Sequence, residues 1–186
     1  MCIRDRSPPV IQTSNFVFNT TGDLRKALQN EINAHIYTRG NNPTVAILRK
    51  KLAALEKTED ALVTGSGSSA VAGAVMSFVA AGDHVICVQK PYAWTYKLLA
   101  AYLSNFGVEY DFVDARNVDE IENKIKPTTK ILYLESPNSL TFELQDLSAC
   151  CALAKKHGII TMIDNSHCSP LYQNPADFGV DIIIHS

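Results

Sequence analysis

Residues 159 to 169, IITMIDNSHCS, carry apolar and β-branched side chains straight into Asp164 and then into turn-forming polar residues. No alternation of polar and apolar interrupts the run, so it reads as a strand buried on both faces, as strands of parallel sheets are. Ligands of such sheets bind beyond the carboxyl ends of the strands, so an acid at that boundary faces the place where a ligand would lie. The same carboxylate would equally cap the turn that follows.

On either side the pattern repeats. Asp146 to His157 reads as a helix stopped by Gly158, which suits the left-handed position after a helix C-terminus. Before it, KILYLE (Lys130 to Glu135) is a strand, Val118, Ile121 and Ile125 mark a helix that ends before Pro127, and VEYDFV is another strand. Tyr92 to Asn105 is a helix that stops before Gly107, HVICV at 84–88 is a buried strand, and Asp181 to Ile184 is a last short one. Ala61 to Val63 is expected as a short strand entering the loop TGSGSSA, followed by an apolar helix from Ala70 to Ala80. Strands of this length with helices between them predict an α/β fold, a mostly parallel sheet covered by helices on both faces.

The first 60 residues read differently. GDLRKALQNEINA places Leu24, Leu28 and Ile32 on one helical face, and from Val45 a second helix aligns Val45, Leu48, Leu52 and Leu55. No strand pattern accompanies them, so residues 1–60 are expected to form an arm and residues 61–186 the sheet domain. MCIRDR at positions 1–6 has no periodicity and leads into no element, which suggests residues foreign to the natural chain. VDIIIHS stops as a strand finishes, so the chain reads as the N-terminal piece of a longer protein.

Composition excludes several classes. A net charge of −2 with 19% charged residues offers no basic stripe to displace counterions from nucleic acid. No window reaches the roughly 20 apolar residues of a membrane helix. Five cysteines, an odd number at irregular spacing with no secretory signal, favour free thiols in a reducing cytoplasm.

Three features point to chemistry at one sheet edge. Glycines in TGSGSSA let backbone N–H groups approach an anion at a helix N-terminus. The loop fits neither common nucleotide signature, because Ser68 follows Gly67 where a P-loop has Lys, and Ala70 stands where the dinucleotide fingerprint has its third glycine; a plain strand-to-helix turn is the alternative. Glu135 and Asp164 each finish an apolar strand, and such a pair of carboxylates serves acid–base work or a metal. No zinc spacing joins them to His167 and Cys168, Cys150 and Cys151 read as core, and no metal is expected. Tyr92, Trp94 and Tyr96 in PYAWTY lie at a strand-to-helix junction, where they pack or stack on a planar ring. A cradle, an aromatic and a carboxylate together describe pyridoxal 5'-phosphate (PLP), which has a phosphate, a flat ring and a basic ring nitrogen.

The chain resembles the PLP enzymes of cysteine and methionine metabolism, the cystathionine γ-synthase, cystathionine lyase and methionine γ-lyase family, from about Gln12 to Ser186. Tyr37-Thr38-Arg39 followed by Asn42-Pro43-Thr44 matches that family's Tyr-x-Arg and Asn-Pro-Thr. Ser66-Gly67-Ser68-Ser69-Ala70 resembles its phosphate loop, Tyr92 and Thr95 its Tyr-Gly-x-Thr with Ala93 for the glycine, and Asp164-Asn165-Ser166 its Asp-Asn-Thr. Its Ser-x-x-Lys begins at Ser186. Its Glu-x-Pro-x-Asn-Pro becomes Glu135-Ser136-Pro137-Asn138-Ser139-Leu140, so that either Asn138 replaces the missing Asn near the cofactor's phenolic oxygen or that contact is weaker.

The resemblance implies a truncated fold-type I major domain and a role for each matched residue. Gly67, Ser68 and Ser186 would bind the phosphate, Tyr92 would stack on the ring, and Asp164 would pair with the ring nitrogen. Tyr37 and Arg39 would reach into a neighbouring subunit's site, which requires a homodimer or homotetramer. The implied reaction is elimination or replacement at Cβ or Cγ of a sulfur amino acid or activated homoserine, with the cofactor-bearing lysine beyond Ser186. An aminotransferase, an aldolase or a nucleotide-binding module are the competing readings.

Overall fold

A computed structural model describes residues 8–186; the reading of positions 1–6 lies outside the described residues, as does Cys2. The chain divides between Val63 and Thr64 into two compact units.

The second unit holds a five-stranded, wholly parallel sheet: β1 (His84–Val88), β2 (Glu109–Val113), β3 (Thr129–Glu135), β4 (Ile160–Asp164) and β5 (Ile182–Ile184), in the order β2-β1-β3-β4-β5. Every residue of β1 is buried, and so is all of β3 except Lys130, which is what apolar strands covered on both faces require. The core runs through Val85, Ile86, Leu132, Leu134, Met162 and Ile163. The chain leaves β1 for β2 on one side and then crosses to β3 on the other. This creates a topological switch point between the C-terminal ends of β1 and β3, the place where open α/β sheets bind ligands.

The helices follow the sequence with shifts at their ends. In the first unit are α1 (Thr21–Leu28) and α2 (Pro43–Glu56); in the second are α3 (Gly67–Met76), α4 (Ala93–Lys97), α5 (Val118–Lys124), α6 (Leu147–His157) and α7 (Ser169–Tyr172). Gly158 takes the left-handed conformation after α6, with φ +67°, as expected there.

Three expectations are corrected. Residues 61–63 form no strand, because a strand exists only beside a partner and Leu62 is left 82% exposed. The predicted helix over 22–34 stops at Leu28 and resumes only as a short 3-10 turn, Glu31–Asn33, with Ile32 77% exposed; Asn30 between them breaks the helix with extended φ. The helix predicted over 92–105 passes from α4 through a π-helical turn (Leu98–Tyr102) and a 3-10 turn (Leu103–Phe106) before ending at Gly107.

At the opposite end of the sheet, His84 is fully buried. Thr129 Oγ1 accepts the Lys126 N–H at 2.8 Å and is left to donate to His84 Nδ1, also at 2.8 Å. Nε2–H then points at Asp111 Oδ2, 3.2 Å away, which is the neutral tautomer. Burial first, then the Lys126 charge, push the His84 pKa down, against Asp111, which pulls it up. A His whose folded-state pKa lies below its unfolded value contributes stability that is complete above about pH 6.5 and lost as pH falls through the folded value. Urea unfolding midpoints of wild type and His84→Gln are therefore expected to converge as pH drops from about 7 to about 5; a difference that stays flat would count against this.

Candidate active site

The C-terminal edge of the second unit gathers most of the residues singled out from sequence. Asp164 ends β4 and lies in register with Glu135 of β3 on one side and Ile184 of β5 on the other. The half-buried Asp164 accepts the Ser166 N–H on Oδ1 at 3.0 Å, so it does close the turn, and Oδ2 stays outside that bond. The Ser166 hydroxyl in turn accepts the N–H of Ser186 at 2.8 Å. Ser186 abuts Gly67: a Cβ built on Gly67 would stand 2.8 Å from the Ser186 Cα and nearer still to its side chain. Thus the start of α3 and the ends of β4 and β5 meet in one place.

Ser66 caps α3, its Oγ accepting the Ser69 N–H at 3.1 Å. The N–H groups of Gly67 and Ser68 belong to the first turn, where no carbonyl within the helix can accept from them, and they are donors for an anion. Tyr92 follows β1 and precedes α4, and the residue is 46% exposed. The other two aromatics of that segment are occupied elsewhere. Lys97 Nζ sits 4.4 Å from the Trp94 ring centroid, and Tyr96 stacks on Phe112 at 5.2 Å.

Among the described residues Glu135, 2% exposed, has no charge partner but two amide donors: Ser139 N–H at 2.6 Å on Oε1 and Tyr92 N–H at 2.8 Å on Oε2. Each Glu135 oxygen is thus engaged by the backbone of a neighbouring loop, a use the sequence did not suggest. Asn138 is equally committed. Its Nδ2 donates to the carbonyls of Lys90 and Gln89 at 3.1 and 3.3 Å, and its Oδ1 accepts from Leu140 N–H and the Thr141 hydroxyl. It therefore cannot stand in for the displaced Asn, whereas the Ser139 hydroxyl is buried with no hydrogen-bond partner.

Sequence reasoning missed two further residues beneath this edge. Asn165, fully buried, donates through Nδ2 to the Gln173 backbone carbonyl at 3.0 Å and accepts on Oδ1 from Gln173 Nε2 at 2.9 Å, and Gln173 also donates to the Ser136 carbonyl at 2.8 Å, tying the turns after β3 and β4 together. A buried polar pair of this kind leaves no periodic signal; the only clue was an Asn directly behind a strand-ending Asp. Cys87, Cys150 and Cys151 are buried packing residues, as read. Burial pushes the Cys150 thiol up to about 12 and keeps it neutral. Among the described residues no group of His, Cys, Asp and Glu is arranged to hold a metal ion, and no helix is long and apolar enough to cross a membrane.

Tyr37 and Arg39 lie in the first unit and are described within it. Both are exposed, with the Arg39 guanidinium 4.9 Å from the Tyr37 ring centroid. Thr38 N–H donates to the Ser14 carbonyl at 3.0 Å, and the Thr38 hydroxyl to that of Thr13. Asn42 caps α2 through Thr44 N–H at 2.9 Å and holds Thr38 Oγ1 and the Ile11 carbonyl with Nδ2. The Tyr-x-Arg segment is so fastened by the Asn-Pro-Thr that follows it.

Known proteins resemble this chain in sequence and fold. The family model for Cys/Met metabolism PLP-dependent enzymes matches residues 2–186. The chain belongs to that family. Within it, the L-methionine gamma-lyase of Porphyromonas gingivalis is 40% identical over 179 residues, 96% of this chain and 45% of that protein. The O-succinylhomoserine sulfhydrylase of Pseudomonas aeruginosa is 36% identical over 174 residues, 94% of this chain and 43% of that protein. Among solved structures, a putative O-acetylhomoserine (thiol)-lyase from Campylobacter jejuni, containing a pyridoxyl-lysine monophosphate, superposes with a TM-score of 0.92 at 30% identity, covering 97% of this chain and 44% of its own. Cystathionine gamma-lyase from Lactobacillus plantarum, complexed with L-serine, gives 0.87 at 36% identity, covering 96% and 44%. The chain thus spans a little under half the length of these members of the family. The fold expected from sequence is borne out, and PLP is the cofactor on which the family depends.

Proposed function

We propose that the full-length protein eliminates or replaces a group at Cβ or Cγ of a sulfur amino acid or an activated homoserine. The observation that carries this reading is the meeting of Gly67, Ser186 and Asp164 at one sheet edge, with Tyr92 in the loop that leaves β1 at the same edge, in a chain matched to the family over residues 2–186. The donors, the flat ring and the carboxylate fit a group that has a phosphate, an aromatic ring and a ring nitrogen. When bound, PLP supplies an electron sink for charge developing at the substrate's Cα.

The chain's own residues would do the holding. Gly67 and Ser68 offer backbone N–H donors to the phosphate at the positive end of α3, a contact of about 0.3–1 kcal/mol at an exposed site. Ser186 adds its hydroxyl. Tyr92 would offer a ring face, and the Asp164 carboxylate would hold the proton on the ring nitrogen. The lysine of the Ser-x-x-Lys that the resemblance starts at Ser186 would carry the cofactor. Tyr37 and Arg39 would grip the phosphate in a neighbouring copy, making at least a homodimer, or a homotetramer of two such pairs, the functional unit.

PLP added to the full-length protein is expected to give a visible absorbance band that borohydride abolishes, and a thioether amino acid is expected to yield ammonia and a 2-oxo acid in equal amounts. Stoichiometric amino-group exchange would instead mark an aminotransferase. Absence of the band would sink the cofactor reading.

A further inference from the structure

We infer that Glu135 is a positioning residue for Tyr92, fixing the aromatic face at the switch point between β1 and β3 without itself touching the reacting atoms. The inference rests on the cofactor reading above. A carboxylate buried to 2% exposure at the end of a strand needs compensation, and among the described residues it comes from two backbone amides and no cation. One of them is the N–H of Tyr92, 43 residues away in sequence, at 2.8 Å on Oε2. The other is the N–H of Ser139, at 2.6 Å on Oε1. A single side chain therefore clamps the loop after β1 to the turn after β3.

The clamp acts where Tyr92 is otherwise least secured. Tyr92 precedes α4 with no side chain capping that helix, and α4 is only five residues long. Lys90 just before it sits at φ +53°, a conformation disfavoured for a residue with a Cβ. Tyr92 is 46% exposed, so core packing does little to hold it. Further ties on this loop come from the same turn as Glu135, Asn138 Nδ2 donating to the Lys90 and Gln89 carbonyls, and from β2, where the Val113 carbonyl accepts the Gln89 N–H. Glu135 and Asn138 thus grip the donor and acceptor sides of one loop.

The test is a double-mutant cycle in the full-length protein, read as PLP affinity. Glu135→Gln keeps the shape and leaves one acceptor oxygen where two N–H donors need two. It is expected to weaken binding about tenfold, the scale of one lost charge-assisted bond. Tyr92→Ala is expected to weaken binding at least as much, and the double variant to bind within about twofold of Tyr92→Ala alone, because the effect of Glu135 passes through the Tyr92 ring. Additive losses would overturn the inference, since a side chain that merely supports the fold would cost the same with or without the ring. A second measurement does not depend on any variant folding: in the cofactor-free wild type, the Tyr92 amide is expected to exchange its hydrogen far more slowly than that of Ala93, the first residue of α4, and an unprotected Tyr92 amide would overturn the clamp. Failure of wild type to bind PLP at all overturns the cofactor reading and the inference with it, even with the Tyr92 amide protected. Binding with an additive cycle overturns the inference alone.

Discussion

Asp164→Asn is expected to leave the fold intact and to cost the full-length enzyme on the order of 10³ in kcat. The substitution isolates one function of the side chain. Asp164 closes its turn by accepting the Ser166 N–H on Oδ1, and an asparagine keeps that acceptor. If the carboxylate only capped the turn, nothing measurable would change. What Asn removes is the charge. Unit charges 4 Å apart interact by about 1 kcal/mol in water and by about 4 kcal/mol at an effective dielectric of 20. The larger figure corresponds to about three pKa units on a ring nitrogen, enough to leave most of it unprotonated near neutral pH and unable to draw electrons. Asp164 is half-buried at the end of a strand whose Met162 and Ile163 are fully buried, and such a sheltered setting favours the larger figure. Steady-state kinetics with a thioether amino acid would decide it, alongside a melting curve to confirm the fold; kcat within twofold of wild type would return Asp164 to the role of turn cap.

Much of this edge was legible in the sequence, for a physical reason. Parallel strands buried on both faces are written as unbroken apolar runs, so HVICV, KILYLE and IITMID announced their own positions and, with them, which residues stand at their C-terminal ends. The strand proposed at 61–63 was illegible as an error because pairing is a property of two segments, and nothing in AlaLeuVal says that a neighbour is missing. The π-helical turn at Leu98–Tyr102 is equally invisible, since helix-favouring residues write the same pattern for either winding. The deepest miss was Glu135. A carboxylate at a strand end reads as chemistry, and its actual engagement with Tyr92 depends on a backbone amide brought from the far side of two crossovers. For Asn138 the sequence left two outcomes open, a replacement for the missing Asn or a weaker contact, and could not show that the fold uses its whole amide elsewhere. Local pattern reveals where the edge is; which of its polar groups remain available is set by long-range contacts.

Gly67→Ala is the second substitution of large expected effect, and it tests the phosphate cradle through sterics alone. Gly67 does not need glycine for its backbone angle, as it is absent from the positive-φ glycines. It needs glycine for space. The added methyl would meet the Cα of Ser186 at 2.8 Å, backbone against backbone, and Ser186 is anchored through its N–H to Ser166. Neither side can yield as a flexible side-chain tip would, so the α3 start and the end of the β5 segment must part. Overpacking of this kind costs about 1–3 kcal/mol. Parting them separates the Gly67 and Ser68 amides from the Ser186 hydroxyl, so PLP affinity is expected to fall by about tenfold or more, at about 1.4 kcal/mol per factor of ten. Gly73→Ala, in the same helix, provides the contrast: nothing lies within 4 Å of its Cβ, and replacing a mid-helix glycine is expected to stabilise by about 0.5–1 kcal/mol. Melting temperature and PLP titration on both variants separate the cases, because a general weakening of α3 would move stability and binding together, whereas the cradle predicts that Gly67→Ala loses affinity and Gly73→Ala keeps it. Equal affinity in the two variants would remove Gly67 from the phosphate site and leave only a tight turn into α3.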